Sequence, residues 1–405
     1  MTNKHSINDL YQMQALSLAS KIQMSKARIR AWIEEYGEDG VYVSFSGGKD
    51  STVLLDLVRS EYPNVKAVFV DTGLEYPEIR SFVKTFDNVE ILKPKKNFKQ
   101  VIQEYGYPFF SKENAQKIYE IKHTGSEILK HNRLHGDSKG NGKLPDLYKF
   151  MLDPEAPEVS HLCCNIMKKS PVKSYEHKTG RKPMVATMAT ESRNRTVEWL
   201  RTGCNSFDSK RPISKPMSFW SEQDVLMYIA IKRLFICSVY GVIADDTGSE
   251  VSPADLNPHA MIFDKVNPVL HTTKCDRTGC MYCGFGCHLN EDQRFLRLKE
   301  THPKVYEYIM KSVDSGGLGY EEIIKWINKH DEGVCVMGDF IGKPFTATTM
   351  SELNYLVNAP LESINRELRE ELGIELYVNT LPQIEDNSVS GFLMVKRVGE
   401  PVRFI

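Results

Sequence analysis

Six residues, Ser46-Gly47-Gly48-Lys49-Asp50-Ser51, stand between the apolar run VYVSF and the leucine-rich TVLLDL. Glycine loses more backbone freedom on folding than any other residue, so an adjacent pair marks a tight bend or a close approach to a ligand. A buried strand turning through two glycines into a helix leaves that helix's first N–H groups pointing at the turn. Lys49 adds a compact positive charge, and the hydroxyls of Ser44, Ser46 and Ser51 add donors. Together these residues form a cradle suited to a pyrophosphate. The Walker spacing G-x-x-x-x-G-K-[ST] is absent. Gly142-Lys143 offers no second phosphate loop, because Leu144 stands where a hydroxyl residue belongs.

The nine cysteines supply a second chemistry. Cys163 and Cys164 are adjacent, and Cys275, Cys280, Cys283 and Cys287 crowd into residues 275–287, while Cys204, Cys237 and Cys335 are scattered. In a reducing compartment, clustered cysteines read as metal ligands or redox groups rather than disulfides. The spacing Cys275-x4-Cys280-x2-Cys283-x3-Cys287 is dense enough for a single centre, either iron–sulfur or tetrahedral zinc. Lys168, Lys169, Lys274 and Arg277 would favour the thiolate of any cysteine not used as a ligand.

These groups need a scaffold, and the hydrophobic pattern describes one. Residues 41–46, 65–72, 89–94 and 183–188 read as buried strands, and 51–60, 78–86, 98–106 and 221–231 as helices. That alternation predicts an α/β fold with a Rossmann-like, doubly wound parallel sheet. Asp71-Thr72-Gly73 then ends the second strand on the ligand-facing edge. There Asp71 reads a ribose or adenine edge, or binds a metal such as Mg2+. Residues 8–37 predict one N-terminal helix, and 132–159, polar and rich in Gly and Pro, a long loop that is mobile or closes over a site. The expected organisation is an N-terminal helical segment (1–40), a nucleotide-binding domain with the cysteine cluster (41–300), and a helical extension with a small C-terminal α+β unit (301–405).

The chain has 405 residues, a formal net charge of -1, and no apolar run approaching the ~20 residues of a membrane span. No secretory leader is expected from MTNKHSINDLYQ, so the reading is cytoplasmic, with no membrane partner. Nucleic acid is not favoured by net charge, only by local basic segments at 93–99 and 168–182.

The six-residue turn resembles the PP-loop of the adenine nucleotide α-hydrolase superfamily, which includes ATP pyrophosphatases, tRNA thiolation enzymes and sulfonucleotide reductases. VDTGLEYPEI (70–79) resembles the Asp-Thr-Gly-x-x-(Phe/Tyr)-Pro-Glu segment of the phosphoadenosine phosphosulfate (PAPS) reductase branch. Glu191, Ser192 and Arg195, followed by Pro216, Trp220, Asp224 and Val225, resemble that branch's Glu-Ser-x-x-Arg and Pro…Trp-(Thr/Ser)-x-x-Asp-Val segments. The resemblance implies an adenine nucleotide, either ATP or a sulfated one, held by the loop together with Asp71, Thr72, Gly73, Glu191 and Ser192. It implies roles for Lys49, Asp50 and Arg195 in catalysis, with Arg193 and Arg201 as further planar contacts for phosphate or sulfate.

HLCCNIMKKSPV (161–172) resembles the Cys-Cys-x-x-x-Lys-x-x-Pro motif of reductases carrying a four-iron cluster, and Arg277-x-Gly279-Cys280-x-x-Cys283 resembles the family's later cysteine segment. The resemblance thereby implies a second ligand set for a [4Fe-4S] cluster: Cys163, Cys164, Cys280 and Cys283. Both sets stay open at this point.

Two chemistries follow from the resemblance. In one, ATP is cleaved between its α and β phosphates to activate an oxygen for replacement by sulfur, which requires a sulfur donor and an acceptor such as tRNA or DNA. In the other, a thiolate attacks the sulfur of a sulfonucleotide and sulfite leaves, which requires a thiol reductant. The reductases' Glu-Cys-Gly-x-His motif is missing, Cys335 standing in EGVCVMGDF, and Ala189 replaces their arginine. Those departures favour the first chemistry, whereas the tandem cysteines favour the second. A nucleotide- or nucleic-acid-binding accessory protein without turnover is the alternative class. Residues 366–374 imitate half of a Nudix box, but Glu352 and Asn358 occupy the positions where its Gly and Glu belong, so a helix capped by Gly373 is expected instead.

Overall fold

The computed structural model describes residues 3–261, 264–287 and 294–330, together with strands at 374–382 and 389–397. The N-terminal pattern forms two helices rather than one, α1 (Ile7–Ala15) and α2 (Leu18–Tyr36). Ser17 causes the break: its hydroxyl accepts the Ser20 N–H at 3.3 Å and starts a new helix. Strand β1 (Val41–Ser44) runs through the glycine turn into α3 (Lys49–Arg59). Two similar units follow, β2 (Ala67–Val70) with α4 (Pro77–Val83), and β3 (Val89–Leu92) with α5 (Phe98–Tyr105). After β4 (Phe109–Phe110), α6 (Lys112–His123) and α7 (Glu127–His135), the chain returns to the sheet through α8 (Ser170–Thr179) and β5 (Lys182–Met184). Helix α9 (Arg193–Thr202), the short β6 (Asn205–Ser206) and β7 (Ile213–Ser214), and α10 (Glu222–Lys232) complete this layer.

The sheet has the order β3-β2-β1-β5-β7-β6 and is parallel except for β6. Strand β1 lies inside it, Val43 standing opposite Ala67 on one side and Met184 on the other. Val41, Val43, Ala67 and Met184 are fully buried, as strands covered on both faces require. The strand order reverses between β1 and β5, so the loops leaving their carboxyl ends diverge and open a crevice. This is the α/β, Rossmann-like sheet that the alternation predicts.

The remaining elements of this unit are β8 (Ile243–Ala244), β9 (His271–Thr272), β10 (Gly284–Phe285), α11 (Arg294–Thr301), α12 (Pro303–Met310) and α13 (Tyr320–His330). The expected loop at 132–159 is instead packed: Leu144 and Met151 are fully buried, and residues 146–152 wind into 3-10 turns. Composition misleads there because a few apolar residues pin an otherwise polar segment. The chain divides into compact units at 1–336 and 337–405, so the helices at 303–330 belong with the nucleotide domain. In the second unit, β11 (Ile374–Pro382) and β12 (Val389–Arg397) pair antiparallel. Cys335 and the Nudix-like residues 366–373 lie outside the described residues. No described helix is long and apolar enough to cross a membrane.

Helix α2 is fastened by polar bonds in an apolar setting. The ammonium of Lys21, a residue 1% exposed, reaches both carboxylate oxygens of Asp224 at 2.8 Å. Ser25 Oγ donates to the Pro216 carbonyl at 2.9 Å and accepts the Trp220 indole N–H at 2.9 Å. Three motif residues, Pro216, Trp220 and Asp224, thus serve as a clasp for α2. Removing one partner of a buried ion pair strands the other charge, at a cost of roughly 3–5 kcal/mol. Lys21→Met is expected to lower the urea midpoint accordingly, and adding Asp224→Asn to restore part of the loss. Equal midpoints for the single and double variants would show that the pair does not hold the helix.

Candidate functional site

The glycine turn sits at the mouth of the crevice. Gly47 has φ +73, and a Cβ there would come within 2.9 Å of both Val83 and Ile79. The turn is braced from within: the Ser46 N–H donates to Ser51 Oγ at 3.1 Å, the Gly48 N–H to Ser46 Oγ at 3.3 Å, and Ser51 Oγ to the Gly48 carbonyl at 2.9 Å. These bonds aim the start of α3 at the crevice, where the N–H groups and the dipole favour an anion.

Sequence reasoning missed the cover over this turn. The Lys49 N–H donates to the Tyr240 hydroxyl at 3.2 Å, and that hydroxyl lies 2.6 Å from Thr278 Oγ1. Lys49 Nζ donates to the Asp276 carbonyl at 2.8 Å and pairs with Glu222 at 2.9 Å. No motif flags Tyr240 or Glu222; only the tertiary fold brings them here. Asp50 Oδ1 is buried without a hydrogen-bond partner. Burial pushes the Asp50 carboxyl up, Lys49 opposes the shift and Glu222 adds to it.

The second motif is largely committed to its own loop. Arg80 grips both oxygens of Asp71 at 2.9 Å, and the Gly73 N–H donates to Asp71 at 3.2 Å. Thr72 Oγ1 donates to Glu75 at 2.8 Å, and Glu75 in turn faces Lys168 at 3.5 Å. Glu75, inside the quoted motif but not singled out by it, connects this loop to the cysteine segments. On the other side of the crevice, Glu191 accepts the Met188 N–H at 2.7 Å and pairs with Arg195. Ser192 starts α9 by accepting the Arg195 N–H at 3.4 Å, and Ala189 is buried with its N–H on the Ser218 carbonyl.

Two cavities open beside the turn. One, of about 430 Å³, is walled by Ser44, Phe45, Ser46 and residues 68–70 and rimmed by Lys168, Lys169 and Lys173. The other, of about 290 Å³, is bounded by Ser46, Gly48, Lys49, Asp50 and Glu191. Ser46 and Thr278 belong to both. An apolar slot that ends at an anion cradle is the shape of a nucleotide site. Ser44, Ser46, Gly48, Lys49, Asp50 and Glu191 line it, while Asp71, Thr72 and Ser192 spend their polar groups on neighbouring loops.

The cysteines divide spatially. Strand β4 and its approach lie between the two segments: Tyr107 bridges Val159 on one side, and Phe109 and Phe110 pair with Gly284 and Phe285 on the other. This splint draws Cys163 and Cys164 toward Cys280 and Cys283. The Cys163 thiol donates to Cys164 and is thereby held up in pKa, with burial and the nearby Cys283 and Cys280 adding to the effect. Its partner Cys164 is held low by that bond, against burial and with help from Lys112, Lys168 and Lys169. Burial raises Cys280 and Cys283. By contrast, the Cys275 thiol donates to the Arg277 carbonyl at 2.9 Å, and that of Cys287 to the Gly284 carbonyl at 2.7 Å. Among the described residues no group of three or more His, Cys, Asp or Glu stands at metal-binding geometry.

Residues 40–137 match the family model of the phosphoadenosine phosphosulfate reductase domain. The chain is 30% identical over 273 residues to an uncharacterised protein of Methanocaldococcus jannaschii, covering 66% of this chain and 54% of that one. The chain therefore spans only about half the length of that relative. It is 26% identical over 210 residues to the adenosine 5'-phosphosulfate reductase of Geobacillus kaustophilus, covering 51% and 69%. A solved PAPS reductase from Candida auris, in complex with phosphate, aligns at 16% identity and a TM-score of 0.31, over 62% of this chain and 100% of that one.

Gly47→Ala would force a left-handed alanine against Val83 and Ile79, a cost of roughly 1–3 kcal/mol. We expect a lowered melting temperature together with loss of ATP binding by calorimetry; unchanged binding would separate the turn from the phosphates. Asp50 supplies a pH test. A carboxyl whose folded pKa is raised penalises the native state as pH climbs from the ordinary carboxylate value through the raised one. Asp50→Asn should therefore melt higher than the parent at pH 7 and converge with it near about pH 3. A constant gap across that range would contradict the assignment.

Proposed function

The chain belongs to the PAPS reductase-like family of the PP-loop superfamily, and from that premise we propose that it binds an adenine nucleotide and performs sulfur chemistry at its phosphate end. The adenosine of ATP or of a sulfated nucleotide occupies the slot over β1 and β2, and its phosphates meet residues 46–51. One observation carries this reading: Thr278 closes both the slot and the phosphate cradle, two positions before Cys280. The nucleotide's phosphate end and the thiols share one wall.

The roles of the chain's own groups follow from charge. Lys49 and the first N–H groups of α3 neutralise the phosphates when Tyr240 and Asp276 give them up. Arg195, paired with Glu191, stands across the cradle as a further cation. Asp50 Oδ1, without a hydrogen-bond partner and 4.0 Å from Lys49 Nζ, is where a Mg2+ accompanying the phosphates would be held. The donor set that fits an iron–sulfur cluster is Cys163, Cys164, Cys280 and Cys283, since Cys275 and Cys287 spend their thiols on backbone carbonyls. Such a cluster, when bound, would supply electrons or sulfide beside the slot. Lys168, partly exposed on the slot's rim, is held against partial desolvation above the ordinary lysine range by Cys280 and Glu75, and keeps a cation between the slot and the thiols.

The favoured reaction is sulfonucleotide reduction, in which a thiolate attacks the sulfur and the nucleoside phosphate leaves, after which an external thiol attacks the resulting S-sulfonate, releasing sulfite and leaving a disulfide. A second reading, ATP cleavage with sulfur transfer to a small molecule, tRNA or DNA, draws on Ala189. That buried residue supplies no charge where the family's reductases carry arginine.

Anaerobically purified protein should release sulfite from adenosine 5'-phosphosulfate or its 3'-phosphorylated form with dithiothreitol. Lys49→Ala is expected to lower kcat/KM by about 10²-fold, as loss of one strong transition-state donor does. Pyrophosphate from ATP without sulfite would move the assignment to sulfur transfer, and neither product would end the enzyme reading. Iron and sulfide analysis tests the ligand set independently of activity: Cys163→Ala should lose the iron and Cys287→Ala keep it, and the opposite pattern would restore the 275–287 set.

A further inference from the structure

We infer that a third cavity, of about 510 Å³, binds a small organic oxyanion beside the nucleotide. Three guanidinium groups line it, Arg277 from the loop after β9, and Arg294 and Arg297 from α11. Across from them, Tyr76, Leu226 and Leu270 form an apolar wall. Guanidinium forks match carboxylate and phosphate geometry, and apolar side chains take a hydrocarbon or aromatic body, so the two walls together select an anion carried on such a body.

The charge balance supports an anion. Among the described residues, the acidic groups lining the cavity are Glu222 and Asp276. Glu222 is already paired with Lys49 at 2.9 Å, which adds a cation to the same corner. His271, exposed on β9, stands on the rim. Two arginines are oriented by contacts of their own: Arg294 Nη1 donates to the Cys283 carbonyl at 2.8 Å, and Arg297 Nη1 to Cys275 Sγ at 3.3 Å. A guanidinium has five N–H donors, so the contact of Arg297 with Cys275 aims that group into the cavity wall.

Position indicates the ligand's use. Tyr76 and Gly279 line both this cavity and the nucleoside slot, Arg277 and Glu222 line both it and the phosphate cradle, and Cys280 is in its wall. An anion here lies next to the nucleotide's reactive end and the thiols, as a second substrate must. Only that assignment of use rests on the proposed function; the anion site itself does not.

Calorimetry on the full chain tests the site, with phenyl phosphate titrated in the presence and absence of adenosine 5'-(α,β-methylene)triphosphate. We expect one site per chain, with affinity unchanged within about twofold by the nucleotide analogue. Inorganic phosphate and benzyl alcohol, each carrying half of the recognition, should bind at least tenfold more weakly, and benzoate will show whether the fork prefers a carboxylate. The double variant Arg277→Gln/Arg297→Gln should lose at least tenfold in affinity, and the exposed His271→Glu at least fivefold. Should the double variant misfold by circular dichroism, His271→Glu decides alone. Displacement of phenyl phosphate by the analogue, or unaltered affinity in the variants that fold, would overturn the site. If the analogue fails to bind while the variants still weaken phenyl phosphate, the nucleotide reading falls and the anion site stands.

Discussion

Parallel pairing of β1 with β2 on one side and β5 on the other is the constraint on which the rest of the structure depends. It buries a four-residue strand on both faces and places the reversal of strand order directly above Ser44. The turn that follows cannot lie flat, because α3 must cross back over the sheet while the connection after β5 leaves in the opposite sense. The crevice is the geometric consequence, and glycine at position 47 is what lets the backbone turn inside it against Val83 and Ile79. Phosphate affinity there needs few side chains. The first N–H groups of α3 and its dipole favour an anion there, and the Lys49 N–H is covered by the Tyr240 hydroxyl.

The cysteine chemistry depends on a different and more fragile device. Residues 107–110 are too short to make a sheet, yet they pair on both sides: the Tyr107 carbonyl accepts the Ser160 N–H at 2.9 Å, and the Phe110 carbonyl accepts the Gly286 N–H at 2.9 Å. Two segments more than a hundred residues apart in sequence are thereby held against one strip of backbone. Gly284 permits the approach, since a Cβ there would meet the Pro108 carbonyl at 2.7 Å. Tyr320, fully buried, closes the arrangement from α13 and lies near Cys283, Cys163 and Cys287.

Between the two devices runs the segment that joins them. Asp276 accepts from Lys49 through its carbonyl and Thr278 meets the Tyr240 hydroxyl, with Cys280 two positions further on, so one short segment touches both the cradle and the thiols. Lys49 is satisfied by Glu222 and the Asp276 carbonyl, which avoids leaving a buried ammonium unpaired. The same cation is thus part of the protein's internal bonding and part of its anion cradle.

How much of this was legible in the sequence follows from the range of the interactions involved. The strands and helices around the glycine turn, the parallel α/β class and the phosphate cradle are written in short stretches, because hydrophobic period and glycine pairs act over a few residues. Residues 8–37 and 132–159 misled where a single serine cap or a few buried apolar side chains outweighed the general pattern. The sequence could also say that cysteines cluster, but spacing along the chain favoured Cys275 to Cys287 as a unit. The motif resemblance offered Cys163 and Cys164 with Cys280 and Cys283 only as one of two sets, and the tertiary structure draws those segments together. Tertiary structure alone clasped Asp71 to Arg80 and brought Glu222, Tyr240 and the arginines of α11 around the crevice. Those contacts join positions tens to hundreds of residues apart, and which of them form is decided by strand order and helix packing, about which local residue patterns carry no information.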